Sequence, residues 1–304
     1  MEIKSFIAKD GKKIVYKEWL PNGDVKIKGM LQISHGMAES TVRYEEFAQF
    51  IADNGFIVFA DDHRGHGLTD GSSGYTDGDM FFDTLSDVAE LSETYRKANP
   101  ELKLVLFGHS YGSFLTQAYI ERYSALADGF IVGGSAYMSG FQISSGRLVA
   151  RLGCLFKKTD KPANTIAKLS FGAYNKKYKD GTIFISSIKE ECDKYVACKD
   201  CNFVLSYGFY KSMFTAFKKL YGKKYRSGID PLKPILMVSG QDDPVGGYGA
   251  LTMKLFRFYR DVCKVKDVKL TLYNGVRHEY LNDVSRSASR NDILKFCERV
   301  SAQK

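Results

Sequence analysis

The chain contains 304 residues, 44% of them hydrophobic and 26% charged, and its formal net charge at pH 7 is +9. These values are typical of a globular protein and exclude a fibrous architecture. The longest apolar runs, such as residues 56–60 and 104–108, have the length of strands, so a transmembrane helix is excluded as well. Residues 1–19 interleave charged and apolar side chains without the apolar stretch of a secretion signal, and we therefore expect a cytoplasmic location.

The positive charge is concentrated in one segment of the chain. Residues 138–228 contain 18 basic and 6 acidic side chains, a net charge of +12, and the rest of the chain contains 26 basic and 29 acidic side chains, a net charge of −3. A basic segment of this kind attracts polyanions or anionic membrane surfaces. Because it contains no recognisable nucleic-acid-binding module, we expect no nucleic-acid partner. Peripheral contact with anionic lipid and a merely solvated lysine-rich face are the two interpretations that stay open.

The chain has six cysteines, and in a protein that is not secreted we expect reduced thiols rather than disulfides. Cys198 and Cys201, with Cys192 nearby, have a spacing that hints at a metal cluster. A closed zinc site needs four ligands, however, and residues 138–228 contain no histidine. We therefore predict no metal, and we interpret these cysteines as buried or surface thiols.

The predicted elements of the first half of the chain alternate strand with helix. Residues 1–20 alternate in polarity and predict an amino-terminal hairpin, and residues 21–24 predict a turn. Apolar strands are then predicted at residues 30–34, 56–60, 102–108 and 129–134. Helices are predicted between them, near residues 42–53, 79–98 and 111–123. Strands that are apolar throughout are buried on both faces, so this alternation predicts an α/β fold with a doubly wound, mainly parallel sheet.

The alternation stops after Tyr137 and resumes at residue 234. Residues 138–228 are rich in Lys, Tyr, Phe and Ser, with amphipathic stretches at 145–156 and 205–221. The later elements are a strand at 234–240, a helix near 247–260, a strand at 268–273 and a closing helix near 288–302. We interpret residues 1–137 and 229–304 as the core and residues 138–228 as an inserted helical cap, or lid, between two strands of the sheet.

A G-x-S-x-G pattern spans residues 108–112, between a predicted strand and a predicted helix. In a nucleophile elbow the backbone turns so sharply that glycines are needed at the flanking positions, here Gly108 and Gly112. The turn exposes the Ser110 hydroxyl at the carboxyl edge of the sheet, where the Tyr111 amide can donate to an oxyanion. The alternative is a helix-capping serine between two permissive glycines.

A nucleophilic serine requires a base, and the chain order of such sites predicts a histidine after Ser110. Only His278 of the five histidines meets this condition, and it lies in the loop after the last predicted strand. The base needs a carboxylate from the segment in between, where Asp242 and Asp243 follow a strand. Neighbouring residues of an extended segment point in opposite directions, so only one of them can face the histidine. We choose Asp243, because Pro244 restricts the backbone after it, and Asp242 stays the alternative.

The second oxyanion donor of such a fold comes from the loop after an early strand. Residues 34–37 follow the first apolar strand, and Gly36 allows the amide of Met37 to point inward. We expect His35 to be a structural hydrogen-bonding residue rather than a catalyst.

The sequence blocks around these residues are HGMAES followed by RYEEFAQFIADNGFIVFADDHRGHGLTDG, then GHSYGS, SGQDDPVG and RHEYLND. Together they resemble the α/β-hydrolase superfamily, and within it the monoacylglycerol lipase and lysophospholipase-like hydrolases that are also grouped with serine aminopeptidases. In that family the acid is the third residue after the glycine of its block, which implies Asp243. The family pattern also implies that His63, Arg64 and His66 brace loops. Two departures are Thr69, where the family commonly has Ser, and the cap, which has no family match.

The resemblance implies the α/β-hydrolase fold and a serine hydrolase that cleaves small-molecule carboxylic esters without a cofactor. Ser110, Asp243 and His278 would form its catalytic triad. An aminopeptidase, an amidase or a thioesterase that uses the same triad is the alternative, whereas the intact triad and elbow glycines disfavour a non-catalytic binding module. The sequence leaves the oligomeric state open.

The cap carries apolar side chains that predict a substrate with one acyl chain, of the monoacylglycerol or lysophospholipid type. We expect them to form either acyl-binding walls or the cap's own small core. They are Phe141, Leu148, Leu152, Phe156, Phe209, Phe214 and Phe217.

Overall fold

The computed structural model describes residues 1–178 and 180–303 of the chain. Within them, eight strands form a single sheet: β1 (Glu2–Ile7), β2 (Lys13–Trp19), β3 (Gly29–Ser34), β4 (Phe56–Asp61), β5 (Leu104–His109), β6 (Gly129–Gly133), β7 (Ile235–Gly240) and β8 (Val268–Tyr273). Their order across the sheet is β1-β2-β4-β3-β5-β6-β7-β8. The pairs β1/β2 and β2/β4 are antiparallel, and the other neighbouring pairs are parallel. The predicted mainly parallel sheet is confirmed.

The amino-terminal hairpin is formed by β1 and β2, and its turn lies earlier than the Pro-Asn-Gly-Asp sequence. The Ala8 N–H donates to the Lys12 carbonyl at 2.8 Å, and Gly11 adopts φ of +87° inside this turn. Glycine is suited to that position because it has no Cβ atom to clash. Residues 21–24 instead begin the connection from β2 to β3.

Helices cover the sheet and fill the segment between β6 and β7. They are α1 (Glu45–Asp53), α2 (Gly67–Asp70), α3 (Met80–Ala98), α4 (Tyr111–Arg122), α5 (Phe141–Lys157), α6 (Asn164–Asn175), α7 (Lys189–Ala197), α8 (Tyr207–Phe217), α9 (Lys223–Arg226), α10 (Ala250–Arg257) and α11 (Arg286–Ser301). In the described part of the chain, no helix combines the length and the apolar composition that crossing a membrane requires.

Helices α5–α9 all lie between β6 and β7, in the segment predicted to form a cap. The amphipathic stretches of the sequence lie largely within α5 and α8. Ser206 starts α8, because its hydroxyl accepts the Phe209 N–H at 3.1 Å. Helix α9 contains no fully buried residue, and α7 buries Cys192 and Tyr195 within an otherwise charged sequence, so the sequence pattern predicts neither helix. The division of the chain into core and cap domains at residues 137 and 229 stays a prediction.

Hydrophobic side chains pack on both faces of the sheet, because neighbouring strand residues point in opposite directions. Val58 belongs to the core that contains side chains of α1 and α11, together with Trp19. Its neighbour Phe59 belongs to the opposite core, which contains side chains of α3, α4 and α10 and extends into the cap at Phe217. The doubly wound architecture therefore follows from strands that are apolar on both sides.

The direction of the chain across the sheet reverses at β3. This strand pairs with β4 on one side and with β5 on the other, and Ser34 at its end lies opposite Gly108 of β5. The loops that leave β3 and β5 therefore begin side by side at the carboxyl edge of the sheet. Such a switch point opens a crevice where α/β proteins bind ligands.

Candidate active site

Ser110 occupies the sharp turn between β5 and α4. Its backbone adopts φ of 53° and ψ of −118°, a conformation that costs about 1–3 kcal/mol for a residue with a side chain. A Cβ atom built on Gly108 would lie 2.2 Å from the Gly112 carbonyl oxygen, and one built on Gly112 would lie 1.9 Å from the Ser34 carbonyl oxygen. Any larger residue would collide with backbone at either position. Within the described chain, the Ser110 hydroxyl caps no amide of α4, so the geometry favours the elbow over the capping alternative.

The loop after β3 passes directly against Ser110. A Cβ atom built on Gly36 would lie 3.1 Å from the Ser110 Cβ, so the following residue, Met37, is brought close to the serine. Tyr111 is the first residue of α4, and the amides of a first helical turn have no acceptor within their own helix. The two predicted oxyanion donors are thus both next to Ser110.

His278 and Asp243 are buried and hydrogen bonded to each other. The distance between His278 Nδ1 and Asp243 Oδ2 is 2.9 Å, and the Val245 N–H donates to Asp243 Oδ1 at 2.8 Å. Asp242 is exposed, so the geometry favours Asp243 over this alternative as the partner of the histidine. Because an ionised carboxylate can only accept, Nδ1 of a neutral His278 carries the proton, and Nε2 is left as the acceptor.

The pKa of His278 lies above its ordinary value. Burial disfavours the charged ring, but the charge of Asp243 and its hydrogen bond, together with Glu279 and Glu39, outweigh the burial. The His109 ring lies 4.8 Å from the His278 ring, and burial with the neighbouring His278 holds the pKa of His109 well below its ordinary value. His278 is therefore the histidine of this pair that is poised to accept a proton.

Ser110 and His278 both line a cavity with an empty volume of about 770 Å³, part of which is open to solvent. The wall opposite the sheet comes from the cap. Its side chains there are mostly apolar or aromatic: Ile166, Tyr174, Phe184, Ile185, Tyr195, Tyr210, Met213, Phe214 and Phe217. This combination of an apolar wall and a few polar groups is typical of a small-molecule site.

The cap residues named from the sequence divide into three groups. Phe214 and Phe217 line the cavity, and Phe209 is buried behind it against Tyr111, with a distance of 4.9 Å between ring centroids. For the four predicted residues on α5, the prediction of acyl-binding walls or a cap core is wrong, because they lie on a face of the helix that is exposed to solvent. They are Phe141, Leu148, Leu152 and Phe156, with exposed fractions of 84%, 57%, 44% and 82%.

The other three histidines brace the loops around the site. His35 Nε2 accepts the His63 N–H at 2.9 Å, and the two rings stack with centroids 4.0 Å apart. His66 Nε2 accepts the Ala38 N–H at 3.2 Å. Arg64 forms two hydrogen bonds with a buried aspartate of α3, at 2.6 and 2.8 Å. These contacts hold the β3 loop against the segment that follows β4.

Two carboxylates that sequence reasoning missed, Glu39 and Glu279, also line the cavity. Glu39 accepts the Tyr44 hydroxyl at 2.7 Å and the Gly36 N–H. Burial and the neighbouring Glu279 raise the pKa of Glu39 to about 7. Arg43 forms an ion pair with Glu279. Their closeness in sequence to predicted site residues was the signal that could have found them. Glu39 is three residues after Gly36, and Glu279 directly follows His278.

The six cysteines, all within the described residues, are free thiols. Cys192 and Cys201 are buried, and hydrogen bonding with Cys198 adds to the burial that raises the pKa of Cys201. Across residues 1–178 and 180–303, no group of three or more His, Cys, Asp or Glu side chains lies close enough together to hold a metal ion.

Known proteins similar to this chain include lipases and esterases. It is 32% identical over 139 residues to a monoacylglycerol lipase of Mycolicibacterium smegmatis, a match that covers 43% of this chain and 46% of that protein. It is 27% identical over 284 residues to a monoglyceride lipase of Saccharomyces cerevisiae, covering 88% and 83% respectively. A thermostable carboxyl esterase from Bacillus coagulans, solved with glycerol, superposes with a TM-score of 0.87 at 23% identity over 99% of this chain and 100% of that one. The match to the mycobacterial relative thus spans less than half of that relative's length.

A mainly parallel sheet with a serine elbow after β5, an aspartate after β7 and a histidine after β8 defines an α/β-hydrolase. The family model described as serine aminopeptidase, S33, matches residues 25–285, and the chain belongs to this family. The predicted fold class and the suspected family are both confirmed.

Proposed function

We propose that the protein is a serine carboxylic ester hydrolase that acts through an acyl-enzyme intermediate. The observation that carries the proposal is the buried 2.9 Å hydrogen bond from His278 to Asp243, on a histidine that lines the same cavity as Ser110. This arrangement supplies a nucleophile, a base and a group that orients the base, which is the minimum that acyl transfer requires.

In the proposed mechanism Ser110 Oγ attacks the ester carbonyl carbon while His278 Nε2 takes its proton. The amides of Met37 and Tyr111 donate to the oxyanion, and Asp243 stays ionised and stabilises the imidazolium. Collapse of the intermediate breaks the ester C–O bond, and His278 gives its proton to the departing alcohol. A water molecule then attacks the acyl group, His278 accepts its proton, and Ser110 leaves with that proton. The mechanism uses no metal or organic cofactor.

The proposed substrate is a small ester with one acyl chain, of the monoacylglycerol or lysophospholipid type. The apolar side chains of the cap wall favour an acyl chain, because small-molecule sites bury most of their ligand against apolar side chains. The relatives named monoacylglycerol lipase and monoglyceride lipase add support for a monoacylglycerol.

An aminopeptidase or amidase is the second candidate, because an acidic anchor for a substrate ammonium group is present. Glu39 and Glu279 line the cavity, but Arg43 pairs with Glu279, and the pKa of Glu39 is raised to about 7. The pair therefore carries less negative charge at pH 7 than two free carboxylates. A substrate without an ammonium group, such as a neutral ester, fits these conditions better than an aminoacyl amide, and a thioester stays an alternative.

A substrate panel and a Ser110→Ala variant test the proposal. The panel contains p-nitrophenyl esters, monoacylglycerols, lysophospholipids, acyl-CoA thioesters and aminoacyl amides. We expect turnover of the esters and its loss in Ser110→Ala, with the thermal midpoint of unfolding near that of the wild type. Ester turnover that persists in the variant would refute the triad, and turnover of amides alone would select the peptidase.

We further propose that α5 attaches the cap to an anionic bilayer. Phe141, Leu148, Leu155 and Phe156 are more than half exposed, and their spacing puts them on one face of the helix. The exposed Arg151 lies beside this face, in a segment with a net charge of +12, which favours anionic over neutral lipid. A cytoplasmic location stays a prediction.

Sedimentation with vesicles tests this surface. We expect the wild type to sediment with vesicles that contain phosphatidylserine and far less with pure phosphatidylcholine. Phe156→Ser with Leu155→Ser should weaken sedimentation, whereas Val284→Ser, which removes an exposed apolar side chain outside the cap, should not. Equal binding to both vesicle types would refute the electrostatic contribution.

A further inference from the structure

Arg277, the residue before His278, is buried against the cap. Its side chain donates from Nη1 to the carbonyl oxygens of Ile183 and Ser186, at 2.9 Å each, and to the Thr182 hydroxyl. Its Nη2 pairs with Asp180 at 3.2 Å. These partners all belong to residues 180–187, which connect α6 to α7 and which we call the cap strap. One guanidinium group thus holds four groups of the cap strap.

Backbone hydrogen bonds join the same two segments. The His278 N–H donates to the Phe184 carbonyl at 3.2 Å, and the Glu279 N–H donates to the Ile185 carbonyl at 2.8 Å. The Asp283 carboxylate accepts the Arg277 N–H at 2.9 Å and the Ser187 N–H at 3.0 Å. The loop that carries His278 is therefore held from the cap side at successive residues.

The cap strap also forms part of the cavity wall. Phe184 lines the cavity, and its ring centroid lies 5.6 Å from that of His278. Just before the strap, the ring of Tyr178 lies 3.8 Å from the Arg277 guanidinium carbon, and its hydroxyl donates to the Asp242 carbonyl oxygen at 3.1 Å. This part of the cap therefore contacts the loop of the histidine, the loop of the aspartate and the space where substrate binds.

We propose that Arg277 is a positioning residue that ties the cap strap to His278 and holds the imidazole in line with Ser110. The proposal rests on the ester hydrolase function proposed above. The loop from residue 274 to 279 has no helix or strand of its own, so its conformation depends on contacts from outside. A guanidinium suits this task, because its planar fork donates in several fixed directions, whereas a lysine ammonium is a single point charge.

Lining the acyl site and positioning His278 are two different roles of the cap strap, and they have different kinetic consequences. If the cap strap only lined the acyl site, its loss would raise KM for long-chain esters and leave short esters unaffected. If it positions His278, its loss lowers kcat even for p-nitrophenyl acetate, whose acyl group is too short to depend on the cap wall. A misplacement of about 1 Å in a catalytic group costs on the order of 100-fold in rate.

The test compares Arg277→Met and Arg277→Lys with Arg260→Met, a control that removes an exposed arginine whose described partners are its neighbour Asp261 and the Phe256 ring. For p-nitrophenyl acetate we expect Arg277→Met to lower kcat about 10- to 100-fold with KM changed less than about twofold. Arg277→Lys should recover part of this loss, and the control should match the wild type. A wild-type kcat in Arg277→Met, with only a higher KM for long-chain esters, would overturn the proposal.

Two further measurements keep the test decisive. The downfield proton resonance of His278 Nδ1–H reports its bond to Asp243 without any turnover, and we expect Arg277→Met to broaden or shift it. An unchanged resonance overturns the proposal even if the wild type hydrolyses no ester, an outcome that would refute the proposed function separately. If circular dichroism shows Arg277→Met unfolded, Thr182→Val combined with Asp180→Asn removes the Thr182 hydroxyl and the Asp180 charge from the guanidinium and leaves its two bonds to backbone carbonyls in place. A fall in kcat of about fivefold or more then supports the proposal, and a wild-type kcat overturns it.

Discussion

Replacing Asp243 by asparagine would preserve the size of this side chain and remove its charge. The surrounding hydrogen bonds decide how the new amide group orients. The Val245 N–H donates to Oδ1 at 2.8 Å, and only the carbonyl oxygen of an asparagine can accept this bond. The NH₂ group must then take the place of Oδ2, 2.9 Å from His278 Nδ1.

That orientation forces the wrong tautomer on the histidine. An NH₂ group donates to Nδ1, so the imidazole proton moves to Nε2, which then cannot accept the proton of Ser110. We expect Asp243→Asn to lower kcat about 10³- to 10⁴-fold, as in other triads whose acid is changed to its amide. This corresponds to about 4–5.5 kcal/mol of lost transition-state stabilisation.

The assay is the rate of p-nitrophenyl ester hydrolysis between pH 5 and 9, with Asp242→Asn as the matched control. Asp243 contributes to the raised pKa of His278, so this pKa should be lower in Asp243→Asn. The residual activity of the variant should therefore persist to lower pH than the activity of the wild type. The exposed Asp242 should tolerate the same change. A loss of less than tenfold in Asp243→Asn, or an equal loss in Asp242→Asn, would refute this reasoning.

Two further predictions concern stability. Gly112→Ala should lower the free energy of unfolding by about 1–3 kcal/mol or more in urea titrations, because its Cβ would meet the Ser34 carbonyl at 1.9 Å. Gly172→Ala, where the nearest atom to a Cβ lies 3.7 Å away within a helix, should raise it by about 0.5–1 kcal/mol, and equal effects would contradict the argument. The folded-state pKa of Glu39, about 7, lies above that of an unfolded glutamate, so this group makes stability fall as pH rises from about 4.5 to 7. Glu39→Gln should flatten that fall between pH 5 and 7.5, and an unchanged slope would assign it to other groups.

Local signals predicted the elements of the core well. The strand at 268–273 coincides with β8, and the helix near 79–98 corresponds to α3. Apolar runs of strand length and strong helical periodicity are properties of short windows, so they can be recognised without tertiary contacts. The sequence predicts one continuous helix near 247–260. In the structure the chain instead passes from α10 into a π-helical turn at Phe258–Val262.

The cap was harder to predict, because amphipathicity does not tell which face of a helix meets the protein. Helix α5 buries Ile143 and Ala150 and leaves its larger side chains in solvent. The cap strap contributes Phe184 and Ile185 to the cavity although its sequence has neither a helical nor a strand period. It contacts Arg277, a residue that is remote in sequence.

The sequence alone determined the family of this chain, the alternation of strands and helices that builds its sheet, and the candidate nucleophile, base and acid. Short motifs are enough to recognise these features. The clearest is the nucleophile elbow, which tolerates only glycine at its close backbone contacts. The tertiary structure decided which aspartate faces His278, which cap side chains reach the cavity, and that Glu39 and Glu279 share it. Those choices depend on contacts between residues far apart in the chain, as between Arg277 and the cap strap, and no local pattern encodes the distance between two such groups.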